Sequence, residues 1–450
     1  MTLPISRRTF IKTTAAGAAT FAIARPGFGA NEKLTHACIG VGGMGASDLE
    51  NFKQHEKVQI VAICDVDENN LNAAAAKLPD ARKYRDWREL LAKEGDKIDS
   101  VNAAVPDHTH ASITMSALHL KKHVYCQKPL CHDVAECRAV AQAAKAAKVR
   151  TQLGTQMAAG IGDRMAVQWL RQGIIGKVKH VVLCSNRPGA IEAYRLLGPR
   201  PAQGAPPPGT LLWDLWLGSA PERPFASGIY HPTVWRAWQD FGTGWSGDIG
   251  CHIFDAVWKG LGLTAPKTII AEVQESWKDS PARRADNWPQ SDHITWVFPG
   301  NDKTEGKELT LEWFDGLIYP PEDVRKIAGL ETYPPESALV IGTEGMLLLE
   351  HGSGPRLFPQ EKFQGTARPT LPGRNHYHHF VDACLGGEEN ESHFVQTGPM
   401  TEAILLGTVA IRMPGQLLKW DTARMRIPNE PKAERFLRRT YRKGWEVKGL

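Results

Sequence analysis

The feature that most constrains this chain is the run Gly40-Val41-Gly42-Gly43-Met44-Gly45, set directly after an apolar strand pattern and directly before a helical one. Its G-x-G-x-x-G spacing falls on Gly40, Gly42 and Gly45. In a strand–turn–helix unit the first glycine permits a tight turn and the second lets backbone approach a pyrophosphate. The third lets helix and strand pack closely. Amides at the helix N-terminus then face the phosphate charge. The strand pattern Gln59–Cys64 ends on Asp65, where an acid accepts hydrogen bonds from an adenosine ribose. Val66 follows rather than an arginine, so the pattern predicts NAD in preference to NADP.

From Leu34 to Gln156, strand patterns alternate with helical ones. Strands are expected at Thr35–Ile39, Gln59–Cys64, Ser100–Val105, His123–Cys126 and Arg150–Leu153. Helices are expected at Ala46–Gln54, Asn69–Lys77, Trp87–Lys93, Ala111–Leu120 and Val134–Ala147. Such alternation implies an α/β unit, a parallel sheet covered on both faces. This is the expected Rossmann domain, residues 31–156. Past a helix near Met165–Gln172 the texture changes to strand runs separated by turns, at Val178–Cys184, Thr268–Glu275, Ile294–Phe298, Leu309–Trp313, Ala338–Ile341 and Met346–Glu350. Thr343-Glu344-Gly345 has turn chemistry, so the last two form a hairpin. A C-terminal α+β domain with a mostly antiparallel open sheet is expected over 157–450. The Pro/Gly-rich stretch Gly198–Gly209 and the segment Pro320–Pro335 read as loops.

At 450 residues the chain is long for one core, which agrees with two domains. The formal charge of +5 is concentrated at the start, where Arg7, Arg8, Lys12 and Arg25 have no acidic neighbour. The remainder is near neutral, which gives no footprint for nucleic acid or an anionic membrane. Ser6-Arg7-Arg8-Thr9-Phe10-Ile11-Lys12 precedes a small-residue apolar run from Thr13 to Ala24. That run is too short to span a bilayer, which takes about 20 residues. Paired arginines, a short apolar run and small residues near Ala24 or Ala30 resemble a twin-arginine (Tat) export signal over 1–30. Export through the Tat machinery to the periplasm is therefore expected. No other stretch reads as a membrane span. The eight cysteines include Cys38, Cys64, Cys126 and Cys184 in strand patterns, where cysteine serves as a small buried hydrophobe. His376-Tyr377-His378-His379 reads as a helix start on the surface, since no carboxylate or cysteine pattern completes a metal site.

Three further segments carry chemistry: Val105-Pro106-Asp107-His108-Thr109-His110 after strand four, Gln127-Lys128-Pro129 after strand five, and Gly247-Asp248-Ile249-Gly250-Cys251-His252 in the second domain. Together with the glycine run, in this order, they resemble the Gfo/Idh/MocA oxidoreductases, which act mostly on sugars, polyols and related compounds. The resemblance implies that Lys128 takes the place of the family's catalytic lysine and that Asp248 and His252 complete the active site. The family usually has Glu-Lys-Pro where this chain has Gln127-Lys128-Pro129. The cofactor-binding set becomes Gly40, Gly42, Gly43, Met44, Gly45, Asp65, Pro106, His110, Gln127 and Lys128. For His110, structural helix capping stands beside cofactor contact.

The residues themselves agree with these roles. Removing a hydride from an alcohol requires a base for the hydroxyl proton, and Lys128 ends a parallel strand where open α/β sheets bind ligands. Asp248 and His252 are four apart and share a helix face. Which of Lys128 and His252 takes the proton first stays open. Asp255 is equally able to hydrogen-bond at a domain interface. Trp213, Trp216, Trp235, Trp238 and Trp245 crowd one stretch with Tyr230, His231 and Arg236 interleaved. Aromatic faces with adjacent donors suit sugar rings, so Tyr230, Trp235, Arg236 and Trp245 join Asp248 and His252 as substrate candidates.

Three functions remain open at this point. The first is an NAD-dependent oxidoreductase on a carbohydrate, with a tightly bound, internally recycled cofactor. The second is an NAD-dependent glycoside hydrolase or lyase using transient oxidation and elimination. The third is a non-catalytic sugar-binding protein. Free nicotinamide cofactors are scarce outside the cytoplasm, so export favours a cofactor that travels already bound. The resemblance also implies a homo-oligomer, a dimer or tetramer joined through the open sheet of the second domain.

Overall fold

The computed structural model describes residues 33–187 and 199–450. The expected export signal lies outside the described residues, as does the start of the Gly198–Gly209 stretch. Strands β1 (Leu34–Ile39), β2 (Val58–Cys64), β3 (Arg82–Tyr84), β4 (Ser100–Ala103), β5 (His123–Cys126) and β6 (Thr151–Leu153) form one parallel sheet, in the order β3-β2-β1-β4-β5-β6. The order reverses between β1 and β4, and the carboxyl ends beside that switch are where such sheets bind ligands. Every residue of β4 and nearly every residue of β1 and β5 is buried, because helices cover both faces. The partly exposed edge strand β3 has no apolar run, so hydropathy does not announce it.

The covering helices are α1 (Met44–Lys53), α2 (Glu68–Lys77), α3 (Trp87–Glu94), α4 (Asp107–His119) and α5 (Val134–Ala147). Asp67 and Asp86 cap α2 and α3, and Asp133 with Glu136 forms a reciprocal capping box on α5. Helix α4 starts at Asp107, earlier than its apolar spacing suggests. Pro106 stands immediately before its first turn, which brings Asp107 to His110 into the helix.

The second sheet contains β7 (Val178–Ser185), β8 (Thr268–Val273), β9 (Asp292–Pro299), β10 (Glu308–Asp315), β11 (Glu336–Gly342), β12 (Met346–Glu350), β13 (Arg356–Phe358) and β14 (Leu418–Lys419). Their order is β13-β12-β11-β7-β10-β9-β8-β14. Only the β7–β10 pairing is parallel. The expected hairpin is present, with Ile341 opposite Met346. The Pro320–Pro335 segment is not wholly loop, since it holds a short helix at Glu322–Ile327.

Further helices are α6 (Ile161–Gln172), α7 (Trp213–Leu217), α8 (Gly244–Leu261), α9 (His376–Cys384) and α10 (Phe394–Ile411); α6, α8 and α10 pack on this sheet, whereas α9 packs on α1. Helix α10 corrects the expectation that no other stretch is long and apolar enough for a membrane span: its 18 residues have a mean hydropathy of 1.2 and pass by length and composition. It is 83% buried and packs on α5, α8 and β8, as a helix apolar all round does inside a core. One hydrophobic core runs from Ala37 and Val101 beneath the first sheet to Trp296 and Ile404 in the second.

All eight cysteines are buried and unbridged. The histidine-rich run does start a helix, α9, with Asn375 as its cap. It is not on the surface: His376, Tyr377 and His379 are buried, because the Tyr377 ring packs against Phe52 and Tyr125. Among the described residues no group of three His, Cys, Asp or Glu side chains is placed to hold a metal ion.

Candidate active site

The carboxyl ends of β1, β2, β4 and β5 open into a cavity of about 260 Å³, roofed by the segment from Leu215 to Arg236. Gly40 has φ +80, and a Cβ there would come within 2.2 Å of the Ala104 carbonyl oxygen. A Cβ on Gly45 would strike the Gly40 carbonyl oxygen at 2.1 Å. The turn therefore closes only with glycine at both positions. Helix α1 has no side-chain cap and no acid in its first turn, which leaves its positive end to an anion. Gly42, Gly43, Met44, Pro106, Gln127 and Lys128 line the cavity with Gly40 and Asp65.

Asp65 is nearly buried and accepts hydrogen bonds from the amides of Val41 and Asp67, each at 2.9 Å. It thereby ties the glycine turn to the end of β2, and burial holds its carboxyl above the usual range. The Asn70 side chain is a third partner; a carboxylate offers about four acceptor sites, which leaves capacity for a ribose hydroxyl. A turn that a Cβ would fill, a bare helix end and this acid fit NAD.

His110 is a correction. It lies inside α4, buried, with Nδ1 donating to the Pro129 carbonyl at 2.6 Å, and it does not line the cavity. Nor does it cap the helix. Burial lowers its pKa to about 4, and the neutral ring braces the segment that carries Lys128.

At the other end of the cavity Lys128 bonds to α8. Its Nζ donates to Asp248 Oδ1 at 2.7 Å and to the Asp248 carbonyl at 3.1 Å. Arg236 Nε lies 3.5 Å from Asp248 Oδ2, so one buried carboxylate is shared by two cations. His252 follows one turn later on α8. Its Nδ1 is shielded from solvent without a hydrogen-bond partner, and its ring centroid is 5.0 Å from that of His351. Burial, then the Lys128 charge, hold its pKa well below 6.5. The ring is therefore neutral at neutral pH, and neither it nor Asp248 lines the cavity itself. Asp255, buried on the same helix, pairs with Lys259 at 2.5 Å and takes no part in this cluster.

The indole-rich stretch divides in two. Trp235 and Arg236 line the cavity, with the guanidinium 4.3 Å above the Trp235 ring. Tyr230 and Trp245 do not. Tyr230 is 1% exposed and belongs to a satellite core with Trp238 and Phe241. Trp245 donates from Nε1 to Ser185 and packs in the main core. Both are corrections: the long connection before α8 buries its own aromatic faces around Tyr230, and Trp245 sits on the buried first turn of α8 against β7.

Several contributors were not among the expected site residues. Asp107 lines the cavity, accepts from Thr243 N and Oγ1, and is pushed upward by burial and by the Asp248 charge. His231 lines the cavity and pairs with Asp67 at 3.0 Å. Asp48 accepts from both Gln127 Nε2, at 2.9 and 3.0 Å, and the Tyr377 hydroxyl at 2.8 Å. A carboxylate at 127 would face the Asp48 carboxyl directly, whereas the Gln127 amide donates to it. Asp48 had a signal: with Gly45, Leu49 and Phe52 it completes the buried stripe of α1, and an acid in such a stripe needs a partner.

A family model described as "Oxidoreductase family, NAD-binding Rossmann fold" matches residues 34–155. Its companion, "Oxidoreductase family, C-terminal alpha/beta domain", matches 164–323. The chain is similar to a myo-inositol 2-dehydrogenase of Thermotoga maritima, 30% identical over 163 residues, which are 36% of this chain and 48% of that protein. A glycosyl hydrolase family 109 protein of Shewanella putrefaciens is 28% identical over 151 residues, 32% of each chain. The chain thus spans about half or less of the length of the curated relatives it matches. The fold is shared with the WlbA dehydrogenase of Bordetella pertussis, solved in complex with NADH and UDP-GlcNAcA. That likeness has a TM-score of 0.59 and 16% identity, covering 87% of this chain and 99% of that one.

Proposed function

The chain belongs to the Gfo/Idh/MocA oxidoreductase family, and on that premise we propose an NAD-dependent oxidoreductase that acts on a CH–OH group of a sugar, polyol or related carbohydrate, with its cofactor bound tightly and recycled in place. The observation that carries this is the Lys128–Asp248 bond at 2.7 Å, at the end of the cavity that begins with the glycine turn. NAD bound there supplies a hydride acceptor and, once reduced, a hydride donor. In its amine form Lys128, held by Asp248, accepts the carbinol hydroxyl proton, and in its ammonium form it returns that proton in the reverse direction. Neutral His252, one helical turn from Asp248, completes the cluster behind Lys128. Trp235 offers a flat face and Arg236 a charged donor beside it, the pairing that suits a sugar ring's apolar face and polar edge.

A second reading, transient oxidation followed by glycosidic elimination, is favoured by the likeness to the family 109 relative and uses the same cluster. Residues 1–30 are read as a Tat signal on Arg7, Arg8, Phe10 and Lys12, and the exported chain as a dimer or tetramer with domains at 31–156 and 157–450. Purified full-length protein, denatured and assayed for released nucleotide, is expected to yield close to one NAD(H) per chain. Sugars, polyols and glycosides are then screened without added cofactor. A paired oxidised and reduced product supports the recycling oxidoreductase; cleavage with no net redox change supports the second reading. Turnover only with excess added NAD removes in-place recycling.

A further inference from the structure

The segment 437–447 lies far from the chemistry in sequence yet grips the roof of the cofactor cavity. That roof begins with α7, whose Leu215 and Trp216 line the cavity. Its near side is tied to the loop after β2 and to the start of α2, with Leu212 N donating to Val66 O and Glu68 N to Thr210 O. Its far side is held by Arg442. This guanidinium donates to the Asp214 carbonyl at 2.8 Å, to the Gly218 carbonyl at 3.0 Å and to the Asp214 carboxylate, while Arg442 N donates to Ser219 O. Asp214 is 73% exposed, so the ion pair itself contributes little. The weight falls on the two carbonyl bonds, which fix backbone.

Trp445 completes the grip. It is 7% exposed, with Arg88 of α3 at 3.8 Å from its ring and Arg442 at 5.3 Å. Arg439 anchors the segment to the first domain, donating to Glu136 at 2.9 Å and to the His108 carbonyl. His108 Nε2 in turn donates to the Trp216 carbonyl at 3.1 Å. The roof is bolted at both ends, and a dinucleotide beneath it leaves only when one end opens.

We propose that Arg442 and Trp445 are positioning residues that clamp the α7 roof over the dinucleotide and so set how long it stays bound. This rests on the reading of the cavity as the NAD site. Opening the far end breaks the Arg442 bonds and unstacks Trp445 together, which slows release without touching the route by which chemistry occurs.

The test uses the full chain loaded with NADH and chased with excess NAD+, following nucleotide fluorescence. Arg442→Ala and Trp445→Ala are each expected to raise the release rate by about tenfold or more, ~1.4 kcal/mol. Association is expected to change by less than about twofold, because diffusional encounter is less sensitive to such contacts than release. Trp445→Phe, which keeps an aromatic ring between the arginines, restores near wild-type release. Melting of the nucleotide-free variants separates a loosened clamp from a damaged fold, and Arg442→Lys carries the test if Arg442→Ala does not fold. Release unchanged in the variants overturns the clamp alone. Wild-type protein that binds no NADH overturns the cofactor reading beneath it.

Discussion

Around the glycine turn the walls of the cavity are backbone: carbonyls, amides and one acid, Asp65, supplied within a single β-α-β stretch of the chain. Around Lys128 they are side chains, and Lys128 and Asp248 are 120 residues apart in sequence. The first end tolerates no added atoms; the second tolerates no change of charge. A backbone cradle fails by collision and then loses ligand and stability together. A charge cluster fails chemically while the fold persists.

The sharpest way to break this contrast is Lys128→Ala. Turnover is expected to fall by roughly 10²–10⁴-fold, the usual worth of a positioned proton-transfer group, with bound nucleotide and melting temperature nearly unchanged. Single-turnover rates and nucleotide content measure this, and full activity would remove the catalytic assignment. Next, Gly45→Ala drives a methyl into the Gly40 carbonyl. A cost of about 1–3 kcal/mol is expected in nucleotide-free stability, with NAD affinity weakened alongside. Chemical unfolding and nucleotide titration check both, and a loss of affinity without loss of stability would break the contrast.

Asp48 lies between the two ends. Burial raises its pKa from 3.8 to about 7, against the bonds from Gln127 and Tyr377. In the folded state the carboxyl therefore holds a proton through a range in which the unfolded chain has lost it. Its contribution to stability is fullest below about pH 4 and declines as pH rises to about 7, on the order of a few kcal/mol at most. Asp48→Asn has no such proton to lose. Its unfolding free energy relative to wild type is expected to improve between pH 5 and 8, measured by urea unfolding. A parallel pH dependence in the two proteins would contradict the protonated assignment.

The smallest effect is expected at Tyr230→Phe, which removes only a hydroxyl from the satellite core. Stability falls by about 1 kcal/mol and KM for carbohydrate stays put. Trp235→Ala, on the cavity wall, raises KM. A KM change at Tyr230 instead would return that residue to the substrate site.

Legibility followed the same divide. The glycine turn, Asp65 and the five strands with apolar runs could be located from spacing because each depends on neighbours a few residues away. Edge strand β3 and the N-terminal turn of α4 could not, since pairing and a proline's placement decide them. Lys128, Asp248 and His252 were identified through family resemblance; helical spacing alone predicted that Asp248 and His252 share a face, as they do on α8.

Which aromatic residues face the cavity was not legible. Trp235 and Trp245, or Tyr230 and His231, share one aromatic-rich stretch of sequence, and only the packing of the connection before α8 and of α8 itself divides them. Local periodicity and turn chemistry thus determined a parallel-sheet dinucleotide fold with its cradle at Gly40–Gly45. Long-range packing decided that Gln127 answers Asp48, that His110 and Tyr230 are structural, and that Arg442 and Trp445 reach back over the roof. The physical reason is that backbone geometry is set by adjacent residues, whereas a side chain's environment is set by whatever the rest of the chain brings against it.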